Sequence, residues 1–212
     1  MTTKDYLAAT IATYDRTVEQ YIQSTANLVL YEEIEKFTKL LPPKARMLDA
    51  GCAWGRDSKI FVERGYDVTG IDLSEGFLFE ARKRVPDAKF VNMDLRSMDF
   101  PANSFEGIWA CASLLHLTLP DIQKVLDDFC RILTPGGIVF LHVKRGLGDK
   151  IGKQTHTVEG ERHFVYLEPE KLNAMTELAG FSIVETYLFS ERERYGPERR
   201  DMWWVMTFAQ KI

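Results

Sequence analysis

Leu48-Asp49-Ala50-Gly51-Cys52-Ala53-Trp54-Gly55-Arg56-Asp57 decides how this chain is read. The apolar run from Met47 to Ala50 is strand-like, and the glycines that follow end it at once. Residues near 56 to 64 then return apolar side chains at helical spacing, up to Gly65. Strand, glycine turn and helix in that order open a βα unit. Gly51 and Gly55 have no side chain to block a ligand from the backbone, and the amides at the start of the helix face whatever docks there.

The alternation continues on both sides of this turn. Tyr66 to Ile71 reads as a second strand, Ser74 as an N-cap with Glu75 in the first turn, and Phe77 to Val85 as a helix stopped by Pro86. Lys89 to Asn92 is a third strand, Phe105 to Ala112 a fourth and Pro120 to Leu133 a helix. Thr134-Pro135-Gly136-Gly137 is expected to turn tightly into a fifth strand, Ile138 to Val143. Such alternation predicts a parallel sheet. Upstream, residues 3 to 40 read as two helices that stop before Pro42 and Pro43, with Tyr14 and Tyr21 on one face.

Downstream, Arg145 to Glu161 is glycine-rich with mixed charge, and is expected to be a long mobile loop of functional use. Glu168 to Ala179 is helical and capped by Gly180. Phe181 to Phe189 and Met202 to Ala209 flank a charged turn at Gly196-Pro197, which predicts an antiparallel end to the sheet. Arg192, Arg194, Arg199 and Arg200 are expected to lie solvated in that turn.

With 212 residues, 45% hydrophobic and 27% charged, the chain suits one globular domain and excludes a disordered one. Its three cysteines, Cys52, Cys111 and Cys130, are odd in number and widely spaced, which fits reduced thiols buried as small apolar groups. No apolar run approaches the ~20 residues of a membrane span. Lys4, Asp5, Asp15, Arg16 and Glu19 interrupt the stretch where a signal peptide would be apolar, so a cytoplasmic protein is expected. A net charge of −4 offers no global attraction to nucleic acid. His116, His142, His156 and His163 lack ligand-like spacing, and no metal site is expected.

Asp72 ends the second strand about twenty residues past Gly51, where doubly wound folds place a carboxylate on the ribose hydroxyls of an adenosine. A dinucleotide would require G-x-G-x-x-G, and the chain has Gly51, Ala53 and Gly55 instead. In this the chain resembles the class I S-adenosylmethionine-dependent methyltransferases, whose first motif is an acidic residue followed by G-x-G-x-G, here Asp49, Gly51, Ala53 and Gly55. Ala53 departs from the pattern at the middle glycine.

The resemblance runs over most of the chain and implies a Rossmann-like α/β fold: a doubly wound, seven-stranded, mostly parallel sheet with an antiparallel C-terminal hairpin. It divides a single domain, residues 1–212, into an N-terminal helical lid at 1–43, a cofactor-binding core at 44–144, and a substrate-side loop, helix and hairpin at 145–212. S-adenosylmethionine is the implied cofactor. Asp94-Leu95 resembles the adenine-binding element, Leu73 would pack on the adenine, and carbonyls near Ala110 and Cys111 would hold the methionyl part. Leu133-Thr134-Pro135-Gly136-Gly137 is similar to the family's turn before strand five. Arg56 is a candidate for the methionyl carboxylate, and Tyr14 and Tyr21 resemble lid tyrosines.

Methyl transfer from a sulfonium needs alignment and water exclusion more than acid–base help. Where the acceptor must lose a proton, His116 is the candidate base, as the only histidine expected near the methyl group. The fourth strand ends in Ala-Cys-Ala-Ser and lacks the Asn/Asp-Pro-Pro-aromatic and Pro-Cys signatures of DNA adenine and cytosine enzymes, so DNA is not an expected partner. A small-molecule acceptor is expected ahead of tRNA or a protein side chain. Val143-Lys144-Arg145-Gly146, Arg162-His163-Phe164-Val165-Tyr166 and the Trp203-Trp204 strand resemble a subset of small bacterial-type methyltransferases. Lys144, Arg145, Arg162 and Tyr166 are the candidate substrate contacts, the cations suiting an anionic acceptor. A cofactor-binding protein without turnover is one alternative and a nicotinamide-dependent oxidoreductase another; oligomeric state is open.

Overall fold

The computed structural model describes residues 5–153, 158 and 160–212; His156 and Lys4 lie outside them. The N-terminal segment is three helices rather than two: α1 (Asp5–Arg16), α2 (Val18–Thr25) and α3 (Tyr31–Lys39). The central part alternates β1 (Arg46–Ala50), α4 (Arg56–Glu63), β2 (Asp67–Asp72), α5 (Glu75–Arg84), β3 (Lys89–Asn92), β4 (Phe105–Cys111), α6 (Leu119–Ile132) and β5 (Leu133–Lys144). It continues with β6 (Asp149–Lys153), β7 (Glu161–Val165), α7 (Pro169–Leu178), β8 (Phe181–Ser190), α8 (Glu191–Tyr195) and β9 (Trp203–Lys211).

Seven strands form one sheet in the order β3-β2-β1-β4-β5-β9-β8. The first five are parallel, and β9 runs antiparallel to both of its neighbours. The expected Rossmann-like sheet is therefore present. Met47, Leu48, Asp49 and Ala50 of β1 are all buried, as helices on both faces of a parallel sheet require. On one face, Ile122, Val125, Leu126, Phe129 and Ile132 of α6 recur at helical spacing and pack into the core. On the other, Phe37, Phe61, Trp109 and Phe140 form an aromatic cluster, with Trp109 stacked on Phe140 at 4.0 Å between ring centroids.

The Thr134–Gly137 turn is instead part of a twelve-residue strand: Leu133 pairs with Phe105, the register slips, and pairing resumes at Gly107 with Ile138. The expected loop from 145 onward contains a two-stranded ribbon, β6 with β7. The arginines of the C-terminal turn are not all solvated. Arg194 donates to Glu33, which is fully buried in α3, and Arg200 pairs with buried Glu191. Two buried carboxylates draw these guanidiniums inward, and periodicity does not reveal such partners.

Two features set up the site. Strand order reverses at β1, which has β2 on one side and β4 on the other, so their C-terminal ends open a crevice at the switch point. Across that crevice α1 acts as a roof. Ser74 Oγ donates to Asp15 Oδ1 at 2.5 Å on one side, and on the other Thr13 Oγ1 donates to the Glu161 carbonyl at 3.1 Å and His163 N donates to Thr10 Oγ1 at 3.2 Å. Helix α3 packs into the aromatic core instead, through Ile34 and Phe37.

Candidate functional site

The turn after β1 uses left-handed backbone at Gly51 (φ 83°), Ala53 (φ 44°) and Gly55 (φ 80°). Ala53 thus adopts the conformation that glycine prefers, and its amide donates to Asp72 Oδ2 at 3.0 Å. Asp72 Oδ1 accepts from Ser74 N at 2.9 Å. The carboxylate is fixed by backbone amides on two sides and stands in the wall of a cavity. Burial raises its pKa, while these amides pull the other way.

That cavity brings together Tyr14, Tyr21, Gly51, Ala53, Asp72, Leu73, Asp94, Leu95, Cys111 and His116 from the sequence-derived set. Leu7, Thr10 and Ile11 of α1, with Phe77, Met93, Ala112, Ser113 and Leu117, complete its walls. Asp94 Oδ1 accepts from Arg96 N at 2.9 Å, and its carboxylate pairs with the Arg96 guanidinium at 2.6 Å. A second cavity continues past Gly51 to Asp49, Arg56 and Asp57. Arg56 is not solvated: Nε and Nη2 donate to the two oxygens of Asp57 at 2.7 and 2.9 Å, and Nη1 donates to the Thr25 carbonyl at 3.2 Å. Burial, with Asp57 beside it, pushes Asp49 up to about 7, against the 2.5 Å hydrogen bond it accepts from Ser58 Oγ.

Tyr21 is common to both of these cavities and to two more on the β5–β9 side. One is walled by Leu28, Leu30, His142, Phe189, Tyr195 and Trp204. The other holds Lys144, Arg162, Arg200, Phe164 and Trp204, and shares Tyr14, Tyr21, Ala112 and His116 with the large cavity. Four cavities therefore meet around Tyr21 at the end of β4.

His116 is oriented rather than free. Its Nδ1–H donates to the His163 carbonyl at 2.7 Å, which leaves Nε2 to accept from the Tyr14 hydroxyl at 2.8 Å. The tautomer follows from these partners. Burial lowers its pKa to about 3. It is also not the only histidine near this junction. His142 lines an adjoining cavity, packs tilted against Trp204 at 4.2 Å between ring centroids, and places Nδ1 3.4 Å from Cys111 Sγ. Its Nε2 is buried with no hydrogen-bond partner among the described residues.

Four sequence candidates line none of these cavities. Ala110 is wholly buried within β4. Gly55 packs the turn against α5, where an added Cβ would sit 3.2 Å from Ala81 and 3.3 Å from Phe90. Arg145 turns outward to Glu168 at 2.9 Å. Tyr166 stands behind Lys144, its ring centroid 5.9 Å from Nζ. Sequence reasoning missed Ser113, just past β4, His142 and Phe189, which strand pairing brings to the junction, and Glu191 with Arg200 and Tyr195, which α8 and the segment after it bring there.

The donor set fits an adenosine with an amino-acid tail. Gly51 leaves room that a Cβ would take from Ser113, and Ser113 Oγ is buried without a partner among the described residues at the same wall. Carboxylates at Asp72 and Asp94 suit ribose hydroxyls and an exocyclic amine, and Asp49 beside Arg56 suits an ammonium and a carboxylate.

Comparison with known proteins bears on this arrangement. Residues 47–137 match the family described as "Methyltransferase domain". The malonyl-[acyl-carrier protein] O-methyltransferase of Salmonella typhimurium is 30% identical over 165 residues, 77% of this chain and 64% of that protein. Burkholderia thailandensis 1,6-didemethyltoxoflavin-N1-methyltransferase, solved with 1,6-didemethyltoxoflavin and S-adenosylhomocysteine, superposes with a TM-score of 0.77 at 18% identity, covering 100% of this chain and 91% of that one. The [4+2]-cyclase SpnF shares the fold with a TM-score of 0.62 at 22% identity, over 93% and 81% of the two chains. The chain spans 44% to 64% of the length of the first three curated relatives it matches.

Proposed function

We propose that the chain, whose residues 47–137 match a methyltransferase domain, is a class I S-adenosylmethionine-dependent methyltransferase that transfers a methyl group to a small-molecule acceptor by in-line displacement. The observation that supports this best is the convergence of the Gly51–Ala53 turn, Asp72 and Asp94 on one cavity roofed by Tyr14 and Tyr21. When bound, S-adenosylmethionine supplies a methyl group activated by the positive sulfur. The protein's part is to hold and exclude. Asp72 takes the ribose hydroxyls, Asp94 the adenine amine between Leu73 and Leu95, and Asp49 with Arg56 the methionyl end. Tyr14 and Tyr21 close α1 and α2 over the junction and keep water from it.

The roofed cavities on the β5–β9 side favour a small acceptor over tRNA or a protein side chain. His116 serves as a positioning group for Tyr14, because both of its nitrogens are engaged and burial keeps it neutral. SpnF has the same fold and is a cyclase, so the fold alone does not establish transfer. Calorimetric titration with S-adenosylmethionine, S-adenosylhomocysteine and NAD tests the reading. Micromolar binding of the first two and none of NAD supports it, and an acceptor screen by S-adenosylhomocysteine release then separates turnover from binding alone. NAD binding in their place overturns it.

A further inference from the structure

Lys144 ends β5 as a buried amine. The residue is 2% exposed, and Nζ has no hydrogen-bond partner among the described residues. What it has is aromatic: Nζ lies 3.6 Å from the centroid of the Phe164 ring and 5.8 Å from that of Trp204. A buried ammonium held only by ring faces is costly, and an anion in the adjoining cavity removes that cost.

The charged and titratable groups around it come from several elements. Arg162 of β7 donates to the Tyr14 hydroxyl of α1 at 3.2 Å and to the Val158 carbonyl at 3.3 Å. Arg200 is paired with Glu191 through both of its carboxylate oxygens, and Trp204 Nε1 donates to the same carboxylate at 3.3 Å. His116 lies across the cavity and is neutral. Among the described residues, Arg200 thus has a carboxylate partner and the amine of Lys144 has none.

Resting on the methyl-transfer reading, we propose that the acceptor is a small carboxylate monoanion with an apolar or aromatic body, its carboxylate seated on Lys144. An amine walled by aromatic rings suits a carboxylate on an apolar body better than a doubly charged phosphate ester, which such rings would leave poorly solvated. Phe164 and Trp204 beside it, continued by Phe189 and Tyr195 in the next cavity, suit the body. Burial, reinforced by Arg200 and Arg162 and opposed by Glu191, lowers Lys144 to about 6, so a carboxylate that enters at pH 7.5 brings a proton onto the amine.

Benzoate and its neutral counterpart benzamide, titrated calorimetrically into protein saturated with S-adenosylhomocysteine, test this. Two buffers of different ionisation enthalpy report the proton. The expected result is benzoate binding at least tenfold tighter than benzamide, with net proton uptake at pH 7.5 and affinity that falls as pH rises from 6.5 to 8. Lys144→Met is expected to remove the uptake and at least tenfold of the benzoate affinity while leaving S-adenosylhomocysteine binding within twofold, which also checks its folding. Benzoate binding no tighter than benzamide, or binding without proton uptake, overturns the proposal independently of any variant. If wild-type protein does not bind S-adenosylhomocysteine, the methyltransferase reading itself falls; if it does and benzoate does not bind, only the acceptor proposal falls.

Discussion

The two ends of the crevice are built on opposite plans. At the β1–β3 end the functional groups are carboxylates, Asp72 and Asp94, each steadied by backbone amides one or two residues away or by the neighbouring turn. At the β5–β9 end they are cations, Lys144, Arg162 and Arg200, set among aromatic rings and gathered from strands, a ribbon and the C-terminal segment. A carboxylate held by local amides is preorganised by a few residues of sequence. A cation held by distant rings depends on the whole fold. The contrast matches a constant adenosine ligand at one end and an acceptor specific to this protein at the other.

The sharpest way to break this comparison is at its most local element. Asp72→Ala is expected to weaken S-adenosylhomocysteine binding by about a hundredfold, roughly 2.7 kcal/mol, with little change in melting temperature. A loss of less than tenfold by calorimetry would show that the amide-held carboxylate is not the ribose anchor.

The next effect falls on the distributed end. Arg194→Ala strands Glu33, which is fully buried and otherwise accepts from the Tyr187 hydroxyl at 2.9 Å. A destabilisation of about 2 kcal/mol is expected, or a drop of roughly 6 °C by thermal denaturation, with cofactor affinity unchanged. Equal melting temperatures would mean that this end is less interdependent than its contacts imply.

This division also explains what could be read in advance. The β1 turn, the Ser74 cap and the boundaries of β3 were legible because each is decided by adjacent residues; Ser74 Oγ accepts from Phe77 N as its cap position predicts. The β6–β7 ribbon was not, because glycines and mixed charge hide the pairing of Asp149 with Val165. His142 was not legible either: it reads as one more residue of an apolar strand, and only the placement of Cys111 and Trp204 on either side gives it a role. The inward turn of Arg194 and Arg200 depends on Glu33 and Glu191, which sit on helices whose patterns show them as surface acids.

A smaller effect sharpens the cationic side. The pKa of Lys144 is about 6 in the folded protein and ~10.4 in an unfolded chain, so the unfolded state binds more protons between those values. Its cost to the fold is therefore largest at low pH and fades as pH rises toward 10. Lys144→Met is expected to raise the melting temperature by about 3 °C at pH 7, and by less at pH 9. A lower melting temperature at pH 7 would show that the amine is stabilising and its environment misjudged.

The smallest effect is an absence of change. Burial holds His116 near 3, so it is already neutral throughout pH 5 to 8. Once an acceptor is in hand, kcat/KM is expected not to rise through pH 6.5; such a rise would identify a titrating histidine base.

The most direct test of the two-ended account is a crystal structure of the complex with S-adenosylhomocysteine. The account predicts the ribose hydroxyls on Asp72, the adenine at Asp94 between Leu73 and Leu95, and the thioether sulfur beside Tyr21 facing the Lys144 cavity. A nucleoside seated among Phe189, Tyr195 and Trp204, or a sulfur turned away from Tyr21, would contradict it.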